Sequence, residues 1–180
     1  MLRWLLGALL AGVVLFAWGF VYYTVLPVNK MVMKKAPDEK AMLDVLKAGL
    51  GEDGVYALPY PQDKPGAAGD VGPMAQVFFR AGAERGTMAA KDFVLGYLHL
   101  FASALLVGAL LLMCRDSLPR FGHRWVFVVV AGAFASVFVQ LAGPVWFRQP
   151  WSYHLATAGL YQVAGWLLAA LPLAGLIRKN

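Results

Sequence analysis

A chain of 180 residues that is 60% hydrophobic and only 14% charged, with a mean hydropathy of +0.61, carries more apolar surface than a soluble domain of that length can bury. That excludes an ordinary soluble globule, and because the apolar runs do not alternate with polar residues as barrel strands would, it also argues against a membrane barrel and for membrane helices. The formal charge of +6 lies mostly outside the one long polar segment, at the chain ends and in a short loop, which is a topology signal and no sign of nucleic-acid binding.

The first apolar segment, about Trp4 to Leu26, is long enough to span the roughly 20-residue hydrocarbon core. It exceeds a signal-peptide h-region and no A-x-A-like site closes it, so residues 1–27 are predicted to be an uncleaved anchor. In the following NKMVMKK, Met31 and Met33 form a weak thioether pair for Cu(I), set against a simpler role as a helix extension with its lysines in the headgroups.

Residues 28–92 form the only sizeable polar segment, predicted to be a small αββ cap on the outer side. In APDEKAMLDVLKAGLGEDG, Pro37 suits the first helical position, Asp38 and Glu39 suit the positive dipole end, and Gly49 or Gly51 can stop the helix. Met42, Leu43, Val45, Leu46 and Leu50 give it an apolar side. Short strands are predicted at Val55 to Leu58 and Ala75 to Arg80, separated by the Pro/Gly-rich PYPQDKPGAAGDVG. A two-stranded ribbon is marginal alone, so the cap is expected to lean on the helix ends or on a partner.

Three further spans follow, at about 93–113, 125–145 and 153–177. Cys114, the only cysteine, excludes an intrachain disulfide and a cysteine-based metal site; it reads as an inert interfacial thiol. The 115–124 loop carries Arg115, Arg120 and Arg124, whereas the turn before the fourth span carries only Arg148. With Arg3 at one chain end and Arg178 and Lys179 at the other, both termini are predicted to be cytoplasmic and residues 28–92 extracytoplasmic. Gly143 to Trp151 reads as a turn stiffened by Pro144 and Pro150. Trp146, Trp151, Tyr153, Tyr22 and Tyr23 are expected in the outer aromatic belt, and Trp4 and Trp125 in the inner one.

Polar residues within spans are functional candidates by default, because burying them is costly. They gather at the predicted outer end: Asp92, Tyr97, His99 and Ser103 on the second helix, Ser136 and Gln140 on the third, and Tyr153, His154, Thr157, Tyr161 and Gln162 on the fourth. His154, Thr157 and Tyr161 stand at i, i+3 and i+7, hence on one α-helical face. The candidate ligand-binding set is His99, Gln140, His154, Thr157 and Tyr161, with a lipid, quinone or haem as ligand and the two His as axial ligands or proton carriers. Hydrogen bonding between helices accounts for the same residues without a ligand. Close packing is expected from Ala131 and Ala135, a small-xxx-small pair, and from Gly159 and Gly165. No catalytic set and no resident cofactor is predicted: the spans as bounded contain no charged residue after Phe93, and no metal-ligand spacing occurs.

The run FAWGFVYYTVLP, then PDEKAMLDVLKAGLGEDGVYALP, then GPMAQVFF and three spans, resembles uncharacterised four-span bacterial inner-membrane proteins. The resemblance implies the architecture, an all-α membrane protein of four helices with a small α+β cap, and no activity. The expected role is non-enzymatic: an accessory or assembly subunit packing in the lipid against a larger inner-membrane complex or against itself. The alternative is a membrane-embedded binding protein or enzyme using the polar cluster.

Overall fold

The computed structural model describes residues 2–60, 72–82 and 88–178. The centre of the predicted Pro/Gly-rich loop, residues 61–71, and the C-terminal Lys179 lie outside them. The chain divides into two units, Met1–Lys34 with Met88–Asn180, and Lys35–Thr87.

The first unit is helical. Helix α1 (Leu2–Phe20) runs on as a π-helical stretch, Val21–Val25, and stops at Leu26, whose extended backbone is the conformation a following proline favours. After Pro27 the chain makes only the short helix α2 (Val28–Val32), so NKMVMKK restarts a turn and does not extend α1. Helix α4 (Ala90–Cys114) begins where Asp92 reaches back to accept the Ala89 N–H at 2.8 Å. That is half a capping box; Ala89 has no side-chain oxygen to supply the other half. Asp92 therefore caps a helix and does not join the polar cluster.

A 3-10 turn, Arg115–Ser117, leads to α5 (Phe121–Gln140) and, past a break at Leu141, to α6 (Ala142–Phe147). The predicted Gly143–Trp151 turn is accordingly shorter: Gly143 and Pro144 are helical, and reversal falls on residues 148–150, with Arg148 left-handed at φ 52° as the C-cap of α6. Helix α7 (Trp151–Leu155) passes into a second π-helical stretch, Ala156–Val163, and then α8 (Ala164–Leu176). Among the described residues, four helical segments are long and apolar enough to cross a membrane: Leu2–Val25, Ala90–Ser117, Phe121–Phe147 and Trp151–Leu176.

Small residues decide how these segments meet. Gly7, Ala8, Ala11 and Gly12 are buried on α1, and a Cβ on Gly12 would stand 3.2 Å from the Phe101 Cα of α4. Close backbone approach of this kind is how small residues let helices pack tightly. α1 lies between α4 and α8, and α5 packs on α8, while α4 and α5 meet over only a short stretch. The four segments thus form a row folded round on itself and left open along α4 and α5.

On α5 the buried residues are Arg124, Val128, Gly132 and Ser136, one every four positions. The packing face is therefore one residue round from the expected Ala131–Ala135 pair, and on the fourth segment Gly165 is buried while Gly159 faces open space. A Cβ on Gly132 would fall within the indole of Trp166. The two tryptophans expected in the inner belt are half-buried between helices, where their indole N–H groups donate to carbonyls of neighbours: Trp4 to Leu105 at 3.3 Å and Trp125 to Leu167 at 3.1 Å.

The second unit contains α3 (Glu39–Gly49) and the strands β1 (Gly54–Leu58) and β2 (Ala75–Phe79). Asp38 is the N-cap of α3, accepting the Ala41 N–H at 2.9 Å, so Pro37 lies outside the helix it was expected to open. The strands pair antiparallel from Gly54 opposite Phe79 to Leu58 opposite Ala75. Asp53 accepts the Ala81 N–H at 2.7 Å just beyond the Gly54–Phe79 end. Of the apolar side of α3 and its end, Leu50 is buried and Leu46 half-buried; Met42, Leu43 and Val45 are exposed.

Candidate functional site

The open side between α4 and α5 holds a cavity of about 340 Å³. Its apolar walls come from Leu100, Leu106 and Val107 of α4 and from Ala135 and Val139 of α5, and its floor includes Trp18 and Trp166. Its polar groups are His99, Ser103, Ser136, Tyr161 and Gln162. Such a mixture, mostly apolar with a few polar groups together, is what a site for an amphipathic small molecule contains.

Four of the five polar groups have a defined hydrogen-bonding state. His99 is exposed, with Nδ1 3.3 Å from the Gly96 carbonyl of its own helix; donation there leaves Nε2 as an acceptor. Ser103 donates to the His99 carbonyl at 2.9 Å and Ser136 to the Gly132 carbonyl at 2.8 Å. These hydroxyls bond back to position i−4, where interhelix bonds had been expected. The Gln162 Oε1 is buried and has no hydrogen-bond partner. A buried amide oxygen left so costs about 1–3 kcal/mol, and Gln162 is one of the residues lining the cavity.

Two π-helical stretches build the end of this site. Phe16 and Trp18 precede the first, and the second carries Tyr161 and Gln162. Tyr22 and Tyr23 of the first meet Tyr161 of the second, with ring centroids 5.0–5.1 Å apart in all three pairs. The Trp18 indole donates to the Tyr161 carbonyl at 2.8 Å, serving a backbone group in a stretch where the usual i→i−4 ladder is interrupted. Tyr22, expected in the belt, is instead 1% exposed; its hydroxyl lies towards Thr157, and no hydrogen bond of good geometry reaches it. Tyr23, Trp146, Trp151 and Tyr153 are exposed, as belt residues would be.

Of the five predicted ligand-binding residues, His99 and Tyr161 line the cavity. Gln140 ends α5 one turn beyond Ser136 and is not part of the lining. Thr157 is buried and donates to the Tyr153 carbonyl at 2.9 Å. His154 packs where α6 meets α7: a Cβ on Gly143 would stand 2.6 Å from its Cε1, and its Nδ1 is buried without a partner. The i, i+3, i+7 face assumed α geometry throughout; the π stretch 156–163 turns fewer degrees per residue and separates Tyr161 from His154. His99 and His154 therefore do not line a common cavity, and a haem held by both has no geometric support. Met31 and Met33 are 78% and 61% exposed, and no group of three His, Cys, Asp or Glu suited to a metal occurs among the described residues.

Reasoning from sequence passed over Trp18 and Trp166 as site residues, and named Ser103, Ser136 and Gln162 in the polar cluster without placing them in the ligand-binding set. It also placed Arg124 in a loop. Arg124 is in the first turns of α5 and 5% exposed, donating through Nε to the Ala174 carbonyl at 2.9 Å and through one terminal nitrogen to Leu118 and Pro119 at 3.0 and 2.7 Å. The Ala174 carbonyl belongs to the last turn of α8, where no intrahelical donor is available, and a cation there also suits the helix dipole. No protein-family model, curated protein or solved structure matches the chain.

Proposed function

We propose that this protein is a non-enzymatic membrane-embedded binding protein for a lipophilic molecule with a small polar head, of the quinone or lipid class, taken up laterally between α4 and α5. The observation that carries this reading is the 340 Å³ cavity on the open side of the helix row, apolar along its walls and with His99, Ser103 and Gln162 in its lining. The polar head would meet the Gln162 amide and the His99 Nε2, and the apolar body would lie along Leu106, Val107 and Val139. Acceptors predominate among the lining groups, which favours a hydroxyl or quinol head. We place the protein in a bacterial inner membrane with both termini cytoplasmic, on the strength of Arg3, Arg115, Arg120 and Arg178 at one end of the bundle against Arg148 at the other.

Purification in mild detergent followed by solvent extraction and mass spectrometry tests the binding. The wild type is expected to retain a lipophile above the level of bulk phospholipid. Ala135→Phe, which fills the cavity, is expected to abolish retention, and Gln162→Leu to lower it about five- to tenfold, the worth of one hydrogen bond. Equal extracts from all three proteins would refute the reading. In that case the accessory-subunit role would stand as the alternative, with co-purification from native membrane as its test.

A further inference from the structure

We infer that the occupant of the α4–α5 cavity carries an uncharged hydroxylated ring, a quinol or another phenol on an apolar chain, and not a phosphate headgroup. This presupposes the binding proposed above and narrows it to one of the two ligand classes. Depth argues against a phosphate. At 1.5 Å per residue, Ser136 lies about 16 Å from the Phe147 end of its segment, Gln162 about 16 Å from the Trp151 end of its own, and His99 and Ser103 about 14 and 20 Å from Ala90. With the segments crossing a hydrocarbon core about 30 Å thick, these groups stand well below the headgroups and near its middle. A charge carried that deep is costly unless paired. The described residues that line the cavity include no Lys, Arg, Asp or Glu to pair with a phosphate or its counterion.

The aromatic lining argues for a ring. Trp166 sits on Gly132 of α5, where an added Cβ would enter its indole, and Trp18 sits on Gly165, where an added Cβ would stand 3.1 Å from its Cδ1. The Trp18 indole also donates to the Tyr161 carbonyl at 2.8 Å, so both indoles are held at one place along the fourth segment. Ser136 donates to the carbonyl of the same Gly132, which sets a hydroxyl beside Trp166. Aromatic rings gain from offset or edge contact with one another, a gain that an acyl or isoprenoid chain does not reproduce. The size agrees: 340 Å³ is near the lower end of the range of about 300–1,000 Å³ for small-molecule sites, which suits one ring and the start of one chain. Hydrogen bonding between helices, the simpler account of these polar residues, falls short. Ser103 and Ser136 bond within their own helices, His99 approaches Gly96 of its own, and the Gln162 Oε1 has no partner.

Native mass spectrometry of the full chain, delipidated in detergent, tests the assignment with three probes at equal concentration: a decyl-substituted hydroquinone kept under argon, the ring-free isoprenoid alcohol farnesol, and phosphatidylglycerol. The hydroquinone is expected to bind at one per chain and about tenfold more tightly than either of the others, the scale of an aromatic contact together with a hydrogen bond. Ala135→Phe is expected to remove that binding, and Val139→Phe, one turn along the same wall, gives an independent reading; far-UV circular dichroism confirms that each variant keeps its helices. If farnesol or phosphatidylglycerol matches the hydroquinone in binding that these variants remove, the ring is overturned and the binding reading survives. If none of the three probes shows binding that either variant removes, both are overturned.

Discussion

Arg124 shows how much a single boundary matters. Starting the third span at Trp125 leaves this residue in a loop as one of three topology charges; starting the helix at Phe121 buries it under α8. There it joins the end of α8 to the 118–119 loop through three carbonyls. Arg124→Gln should lower stability by about 2–3 kcal/mol, the scale for charge-assisted hydrogen bonds to groups that lose their partner, as measured by unfolding in mixed micelles. Arg120→Gln, exposed on the same helix end, should change it little. Gly132 is the complementary case, a residue defined by what cannot be added. Gly132→Ala places a methyl within the Trp166 indole, against atoms close to its backbone that cannot swing aside, and should cost about 1–3 kcal/mol by overpacking. Because Trp166 also lines the α4–α5 cavity, the same variant should reduce ligand retention.

At the level of elements, the four long apolar helices were legible because hydropathy averaged over about 20 residues is insensitive to the position of any one of them. The faces were not. Segments such as α5 carry apolar residues all round, so no polar side marks the packing stripe, and Ala131–Ala135 could not be told from Gly132–Ser136 by composition. The cap strands were legible to within one residue at either end, since Gly and Pro bound them. The two π-helical stretches had no sequence signal of comparable strength. Their effect was large: they bring Tyr22, Tyr23 and Tyr161 together and turn His154 away from the cavity. His99 and Tyr161 were found by the rule that polar residues in spans deserve suspicion. Trp18 and Trp166 were not, because an aromatic residue in a membrane helix has the same appearance in a belt, a core or a binding site.

For the whole molecule, the proposed topology is testable with the chain's own chemistry. Cys114 is the only cysteine in the sequence and is exposed at the end that carries the termini. A membrane-impermeant maleimide should leave Cys114 unlabelled in intact spheroplasts and label it in inverted vesicles; Arg148→Cys in a Cys114→Ser background should give the opposite pattern. Labelling of Cys114 from outside would reverse the orientation. The central claim, that the open side of the helix row receives a lipophile, is tested most directly by photo-crosslinking in the native membrane. A photoreactive residue is introduced either at Leu100, which lines the cavity and is half-buried, or at Phe134, which is exposed on α5 and outside the lining. The account requires Leu100 to capture one lipophilic species enriched over bulk lipid, and Phe134 to capture bulk phospholipid alone. Identical adducts from the two positions would contradict it.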